Sequence, residues 1–439
     1  MTQRFVIIGT GVAGIAAAQA IRQKLPQASI TLIGNEPDLY YSRPGLAYYL
    51  TKELPETGLF PIQRDELKKL NIGIVHGRAA QIDPDAHRIQ LANGQNLPYD
   101  RLLIATGASA AWPKLPGNDL EGVVKLDNLP DTRHIIKLAR KARSAVVIGG
   151  GITALEIVEG LAARKVSVHY FLRRARYWSN VLDEEESHII EDRLREEGVQ
   201  IHYHTEATQI IGKRGRVVGV LTQDGRKIPC QIVAIAVGIR PRIELAAAIG
   251  LRVERGILVN QFLQTSQPDI YTAGDVAQVF DPLTGRYNID SLWGPARQQG
   301  HIAGLNMAGG QILYQKSAPF NVTRLAGLTT TIIGAVGSGE DDDLIGIARG
   351  DSETWRQLPA AIAAQKGFDV NRMRVMVGSQ YLIGAVVIGD QTLSRPLQHL
   401  IANKADITAI RDDLLNPQAN LSETLLDFWT IWRKDHATQ

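Results

Sequence analysis

Cysteine is almost absent: Cys230 is the single one in 439 residues. One thiol excludes an intramolecular disulfide, a thiol pair that relays electrons and a thiolate cluster around a metal, so no metal site is expected. Apolar runs are short, and none approaches the ~20 residues that span a bilayer as a helix. An excess of one charge is also missing. Lys and Arg number 48 against 45 Asp and Glu, a formal net charge of +3, which points away from nucleic acid while leaving an acidic protein partner reasonable. No basic leader precedes the first apolar strand, so a cytoplasmic location is expected. Hydrophobic residues at 44% and charged residues at 21% describe an ordinary globular chain. Its length exceeds one compact core, and two or three domains are expected.

What the chain has is glycine in two telling places. FVIIGTGVAGIAAAQAI at Phe5 to Ile21 and AVVIGGGITALEIVEGL at Ala145 to Leu161 each read as an apolar strand, a glycine turn and a helix. Such a turn sets free backbone N–H groups and the positive end of a helix against a pyrophosphate. Two turns imply two dinucleotides. Gly9, Gly11 and Gly14 fill the first fingerprint, and Glu36 follows the strand SITLIG at the distance where an acid meets an adenosine ribose. Gly149, Gly151 and Ala154 fill the second, where alanine is permitted at the third position. The strand VSVHYFL then ends in Arg173, Arg174 and Arg176, with no acid until Asp183. A carboxylate there grips the ribose hydroxyls of NADH, whereas arginines accept the 2′-phosphate of NADPH, so NADPH is favoured.

The order of elements predicts an α/β fold with two Rossmann-like dinucleotide-binding units, the second inserted in the first. RLLIATGA ends an apolar strand, as a strand buried on both faces of a parallel sheet should be. After the second unit the chain returns through DIYTAGDVA and a helix from Gly294 to Met307, whose glycines and alanines predict close packing. Short alternating strands LTTTIIGAVG, RMRVMVGSQ and YLIGAVVIGD then predict an antiparallel sheet, followed by helices at about 394–402 and 421–432. The expected division is 1–116 and 244–318 for the first unit, 117–243 for the second and 319–439 for a C-terminal α+β interface domain.

This order resembles the two-dinucleotide-binding flavoprotein reductases of the pyridine nucleotide-disulfide oxidoreductase superfamily. The stretch DLYYSRPGLAYYLTKE, Asp38 to Glu53, is similar to the branch holding rubredoxin reductases, ferredoxin reductases of aromatic-ring dioxygenases, the flavin module of assimilatory nitrite reductases and apoptosis-inducing factor. The resemblance implies FAD as the first dinucleotide, with Gly9, Gly11 and Gly14 at its pyrophosphate and Glu36 at its ribose. It implies Arg43 and Pro44 along the FAD near its rings, Thr106 and Gly107 lining its path, and Gly274 and Asp275 at its ribityl or phosphate portion. The helix after Trp293, with Gln298, Gln299 and Gly300, would aim its N-terminus at the flavin pyrimidine edge. Branch members with RPPLSK carry a lysine beside the flavin. Here Tyr48 takes its approximate place, with Lys52 one turn further on, so either stands for it. Glu156 resembles an acid that helps seat the nicotinamide.

Cys230, in KIPCQIVAIAVG, reads as a buried structural residue, so electrons must leave from the flavin itself. NAD(P)H would pass hydride to FAD. The acceptor implied is a small iron–sulfur protein, with a quinone as the enzyme alternative, because ARQQG resembles the quinone-side motif of type II NADH dehydrogenases. Apoptosis-inducing factor supplies another alternative, a redox-responsive interaction protein with slow turnover. A homodimer through the C-terminal sheet is implied by the family. The stripe Leu421, Leu425, Phe428 and Trp432 predicts packing on its own domain or across such a dimer, with Asn420 and Glu423 capping the helix.

Overall fold

A computed structural model of the chain describes residues 3–38, 40–62, 64–282, 285–336, 372–416 and 418–436. Apolar strands with helical crossovers build its two parallel sheets. The first runs in the spatial order Ile270–Thr272, Arg101–Ile104, Arg4–Ile8, Ser29–Gly34 and Ile72–His76. All four pairings in it are parallel. The chain therefore leaves this sheet after Ile104 and returns to it more than 160 residues later, since Ile270 aligns with Leu102. The second sheet takes Gln200–His202, Ser167–Phe171, Ser144–Ile148, Ile232–Ile235 and Val123–Val124, again all parallel. The outgoing and returning connections run side by side, Ala108–Ala110 pairing antiparallel with Ile239–Pro241.

Helix packing follows from small residues, as their spacing suggested. Helix Val12–Lys24 lies against helix Trp293–Met307. A Cβ on Gly300 would stand 2.1 Å from the Ala13 carbonyl oxygen, and one on Gly304 would stand 2.5 Å from that of Ala17. Both are far inside contact distance, so only glycine lets the backbones meet there.

The C-terminal part is a four-stranded antiparallel sheet in the order Phe320–Leu325, Leu328–Gly334, Leu382–Ile388 and Arg372–Val377. Its first strand was not foreseen. FNVTRL alternates, but with Asn321 and Thr323 turned inward, and that hides the usual apolar period. Helix Ser394–Ala402 forms as expected, and helix Leu421–His436 extends past Trp432. The Asn420 side chain accepts from the Glu423 N–H at 3.3 Å. Leu425 is fully buried, and Leu421, Phe428 and Trp432 pack on the same core as Leu397 and Ile407, so the stripe is used within its own part of the chain. Among the described residues no helix is long and apolar enough to cross a membrane.

Candidate functional site

The two glycine turns have the same backbone design. At the first, Gly9 has φ +128°, and a Cβ there would meet the Ala105 carbonyl oxygen at 2.1 Å. At the second, Gly149 has φ +144°, and a Cβ would meet the Ala236 carbonyl oxygen at 2.1 Å. Positive φ and close approach both demand glycine. Gly11 and Gly151 are the N-caps of helices Val12–Lys24 and Ile152–Ala162, with no side-chain cap and no acid in the first turn of either helix. Nothing lies within 4 Å of where their Cβ atoms would stand. Each turn thus offers uncapped N–H groups and open space to an anion. The third positions sit behind the turns: a Cβ on Gly14 would stand 2.1 Å from the Gly9 carbonyl oxygen, while Ala154 is fully buried.

One continuous cavity of about 1160 Å³ is lined by both turns. That exceeds the ~300–1,000 Å³ typical of a single small-molecule pocket. Gly9, Gly11, Glu36, Arg43, Pro44, Thr106, Gly107, Gly274, Asp275 and Trp293 line it on the side of the first turn. Gly149, Gly151, Arg173, Arg174 and Arg176 line it on the side of the second. Polar groups of its lining are fixed by one another. Glu36 accepts from Tyr41 Oη and from the Arg43 guanidinium, and Arg43 also donates to the Asp127 carbonyl oxygen. Those anionic neighbours hold the Arg43 pKa above its ordinary value despite burial. Arg242 donates to the Thr106 carbonyl oxygen at 3.0 Å and to Asp127 Oδ2 at 3.2 Å, while Thr106 Oγ1 donates back to the Arg242 carbonyl at 2.9 Å. The strand end at Thr106 is thereby stapled to the returning chain.

Neither Asp127 nor Arg242 was singled out from sequence. Asp127 precedes the start of helix Leu129–Ala139, where Asn128 Oδ1 accepts from the Asp131 N–H at 2.8 Å. Arg242 follows Pro241 in an irregular segment and carries no local signal.

Several expected side chains are placed elsewhere. Gln299 does not line the cavity. It is fully buried, accepts from the Gly274 N–H at 2.8 Å and donates to Tyr314 Oη at 3.2 Å, so it holds the Gly-Asp turn from behind. Lys52 is also outside the lining, because helix Gly45–Thr51 ends one residue earlier and Lys52 turns left-handed at φ +73°. Its Nζ donates to the Ala163 carbonyl oxygen at 3.2 Å. Tyr48 and Glu156 pack near each other beyond the cavity wall, Tyr48 kept neutral chiefly by burial. Arg176 is half-buried, and its guanidinium donates to the Ser179 and Leu182 carbonyls, which folds the loop after the strand. Arg173 and Arg174 are exposed. Cys230 is fully buried, and burial pushes its thiol up to about 12, which leaves it inert at neutral pH.

The residues present fit two extended nucleotides with pyrophosphates, one at each uncapped helix start, and they fit a flavin without a partner thiol. Fold and cavity define an oxidoreductase of the two-nucleotide class that has no sulfur relay. The chain belongs to the pyridine nucleotide-disulphide oxidoreductase family, whose model matches residues 3–300. Within it the chain falls in the ferredoxin and rubredoxin reductase-like branch. It is 31% identical over 363 residues to the biphenyl dioxygenase system ferredoxin–NAD(+) reductase component of Paraburkholderia xenovorans, covering 82% of this chain and 86% of that one. It is 26% identical over 425 residues to the assimilatory nitrate reductase electron transfer subunit of Bacillus subtilis. That match takes in 95% of this chain, which spans about half, 52%, of the subunit's length. Among solved structures, a ferredoxin reductase from Rhodopseudomonas palustris superposes with a TM-score of 0.81 at 24% identity, over 97% of this chain and 100% of that one.

Proposed function

We propose that this chain takes reducing equivalents from NAD(P)H at the second turn, through FAD held at the first, to a small iron–sulfur protein of the ferredoxin or rubredoxin type. The observation that carries the proposal is a single cavity lined by both glycine turns, with the sole thiol buried outside it. FAD supplies hydride acceptance and stepwise electron release when bound. The protein supplies position and field.

In this reading Gly9, Gly11 and Gly14 shape the pyrophosphate turn, and Glu36, fixed by Tyr41 and Arg43, receives the FAD ribose. Arg43, Pro44, Thr106, Gly107, Gly274, Asp275 and Trp293 flank the rest of the FAD. Gln299 acts through Gly274 rather than by touching the flavin. Arg173 and Arg174 receive a 2′-phosphate, which favours NADPH, while Arg176 shapes their loop. Tyr48 and Glu156 stand behind the site, and Lys52 anchors the end of its helix. The domain division at 116, 243 and 318 is part of the same reading, as are a cytoplasmic location and a homodimer through the C-terminal part. That part includes residues 337–371 and 437–439, which lie outside the described residues.

Anaerobic addition of NADPH or NADH to the purified protein, followed by ferredoxin plus cytochrome c or a soluble quinone, tests the scheme. Turnover through ferredoxin supports it. Fast turnover with quinone alone, or slow flavin reduction with a long-lived charge-transfer band, replaces the acceptor.

A further inference from the structure

The loop after strand Ser167–Phe171 meets the cavity on one side and the C-terminal sheet on the other. Its Arg173, Arg174, Trp178, Ser179 and Asn180 line the cavity. It ends at Asp183, the N-cap of helix Glu184–Glu196, where a reciprocal capping box closes the turn. Asp183 Oδ1 accepts from the Glu186 N–H at 2.8 Å, and Glu186 Oε2 accepts from the Asp183 N–H at 2.9 Å. The box satisfies the helix start by itself, yet a different part of the chain also binds it.

Arg372 and Arg374 stand two residues apart on strand Arg372–Val377, and so on one face of the C-terminal sheet. The Arg374 guanidinium forks onto Glu186, Nε to Oε1 at 2.8 Å and Nη2 to Oε2 at 2.9 Å. Its Nη2 also donates to the Val181 carbonyl oxygen at 2.8 Å, and its Nη1 to that of Val336 at 3.3 Å. Arg372 Nη2 pairs with Asp183 Oδ2 at 2.8 Å, and its Nη1 with Glu185. Glu186 is fully buried, whereas Glu185 is exposed. A two-pronged contact on a buried carboxylate is the firmer of the two ties, since the exposed pair competes with water. Trp178, Val181 and Leu182 of the loop share one apolar core with Val386 and Ile388 of the neighbouring strand.

We propose that Arg374 is a positioning residue for the coenzyme: acting through Val181 and Glu186, it holds the loop 173–183 in the conformation that receives the adenosine end of NAD(P)H. The C-terminal sheet thereby sets coenzyme affinity without touching the coenzyme. A loop ordered in advance costs less to order on binding, and one that is in place only part of the time weakens affinity by that fraction. The end of this strand is where a ribose is read, away from the reacting nicotinamide. Loss of the tie therefore raises KM and leaves kcat. The effect on affinity rests on the proposal that the second turn holds NAD(P)H, whereas the ordering of the loop does not.

Hydrogen–deuterium exchange of residues 173–183 in the full flavin-loaded protein tests the loop without coenzyme. In R374M exchange there is expected to accelerate about fivefold or more, while strand Ser144–Ile148 exchanges as before. R374M leaves Glu186 buried and unpaired, so R374M/E186Q is measured beside it. Glutamine keeps the capping acceptor without the charge, and the loop should loosen as much because Val181 still lacks its donor. R372Q should change the exchange less than about twofold. With ferricyanide as acceptor, R374M and R374M/E186Q should raise KM for NADPH and for NADH about fivefold and keep kcat within about twofold. Unchanged loop exchange in both variants overturns the proposal. A loosened loop with KM unchanged overturns the positioning role, as does a fall in kcat that tracks lost FAD with KM unmoved. If neither coenzyme reduces the flavin of the unaltered protein, the coenzyme reading fails with the affinity effect, and exchange alone upholds or overturns the ordering of the loop by Arg374.

Discussion

The two glycine turns are nearly superimposable in design and differ in what surrounds them. Gly9 and Gly149 each press within 2.1 Å of a neighbouring strand's carbonyl, measured from the Cβ they lack. At the first turn the following strand ends in Glu36, tied to Tyr41 and Arg43, and the wall continues into the Thr106–Arg242–Asp127 network. At the second turn the strand ends in the exposed Arg173 and Arg174. Groups already ordered before binding lower the entropic cost of holding a ligand. With FAD at the first turn and NAD(P)H at the second, as proposed, the first site suits a nucleotide that stays and the second one that comes and goes.

The sharpest way to break that contrast is to block each turn in turn. Gly9→Ala should yield protein without bound FAD, because the new methyl group strikes the Ala105 carbonyl and φ is unfavourable. Gly149→Ala should remain yellow and fail to bleach with NADPH. Absorbance spectra before and after coenzyme decide this, and equal loss of FAD in both variants would abolish the distinction. A smaller effect is expected at the third positions. Gly14→Ala should lower stability by about 1–3 kcal/mol through overpacking against Gly9, and Ala154→Gly by about 1 kcal/mol through helix propensity. Denaturant melts of the two variants give the comparison.

Replacing Arg173 and Arg174 by glutamine should raise the KM for NADPH about tenfold or more while leaving that for NADH little changed, given ~1.5–3 kcal/mol for a hydrogen bond to a charged group. Arg176→Gln should affect both coenzymes alike, since its guanidinium serves the Ser179 and Leu182 carbonyls. Steady-state kinetics with each coenzyme would reject the assignment if Arg173 and Arg174 behaved as Arg176 does. Least of all is expected from Cys230→Ala. Turnover should be retained, and the native thiol should be unreactive toward a disulfide reagent until the protein unfolds.

The turns could be read from sequence because their chemistry is local: a glycine at a positive φ, an apolar strand before it and a helix after it. The close helix contact at Gly300 and Gly304 was legible for the same reason. Lys52 and Gln299 were not, because their roles depend on where a short helix stops and which way a buried amide points. Arg242 meets Thr106, and Asp127 115 residues before it, only through tertiary folding.

Titration of the purified, oxygen-free protein with NADPH, followed in the visible spectrum, most directly tests whether a flavin at the first turn is reduced from the second. A yellow protein whose flavin bands bleach on adding NADPH, and do so equally after alkylation under native conditions, is the expected result. A correctly folded, colourless protein that cannot be reconstituted with FAD would contradict it.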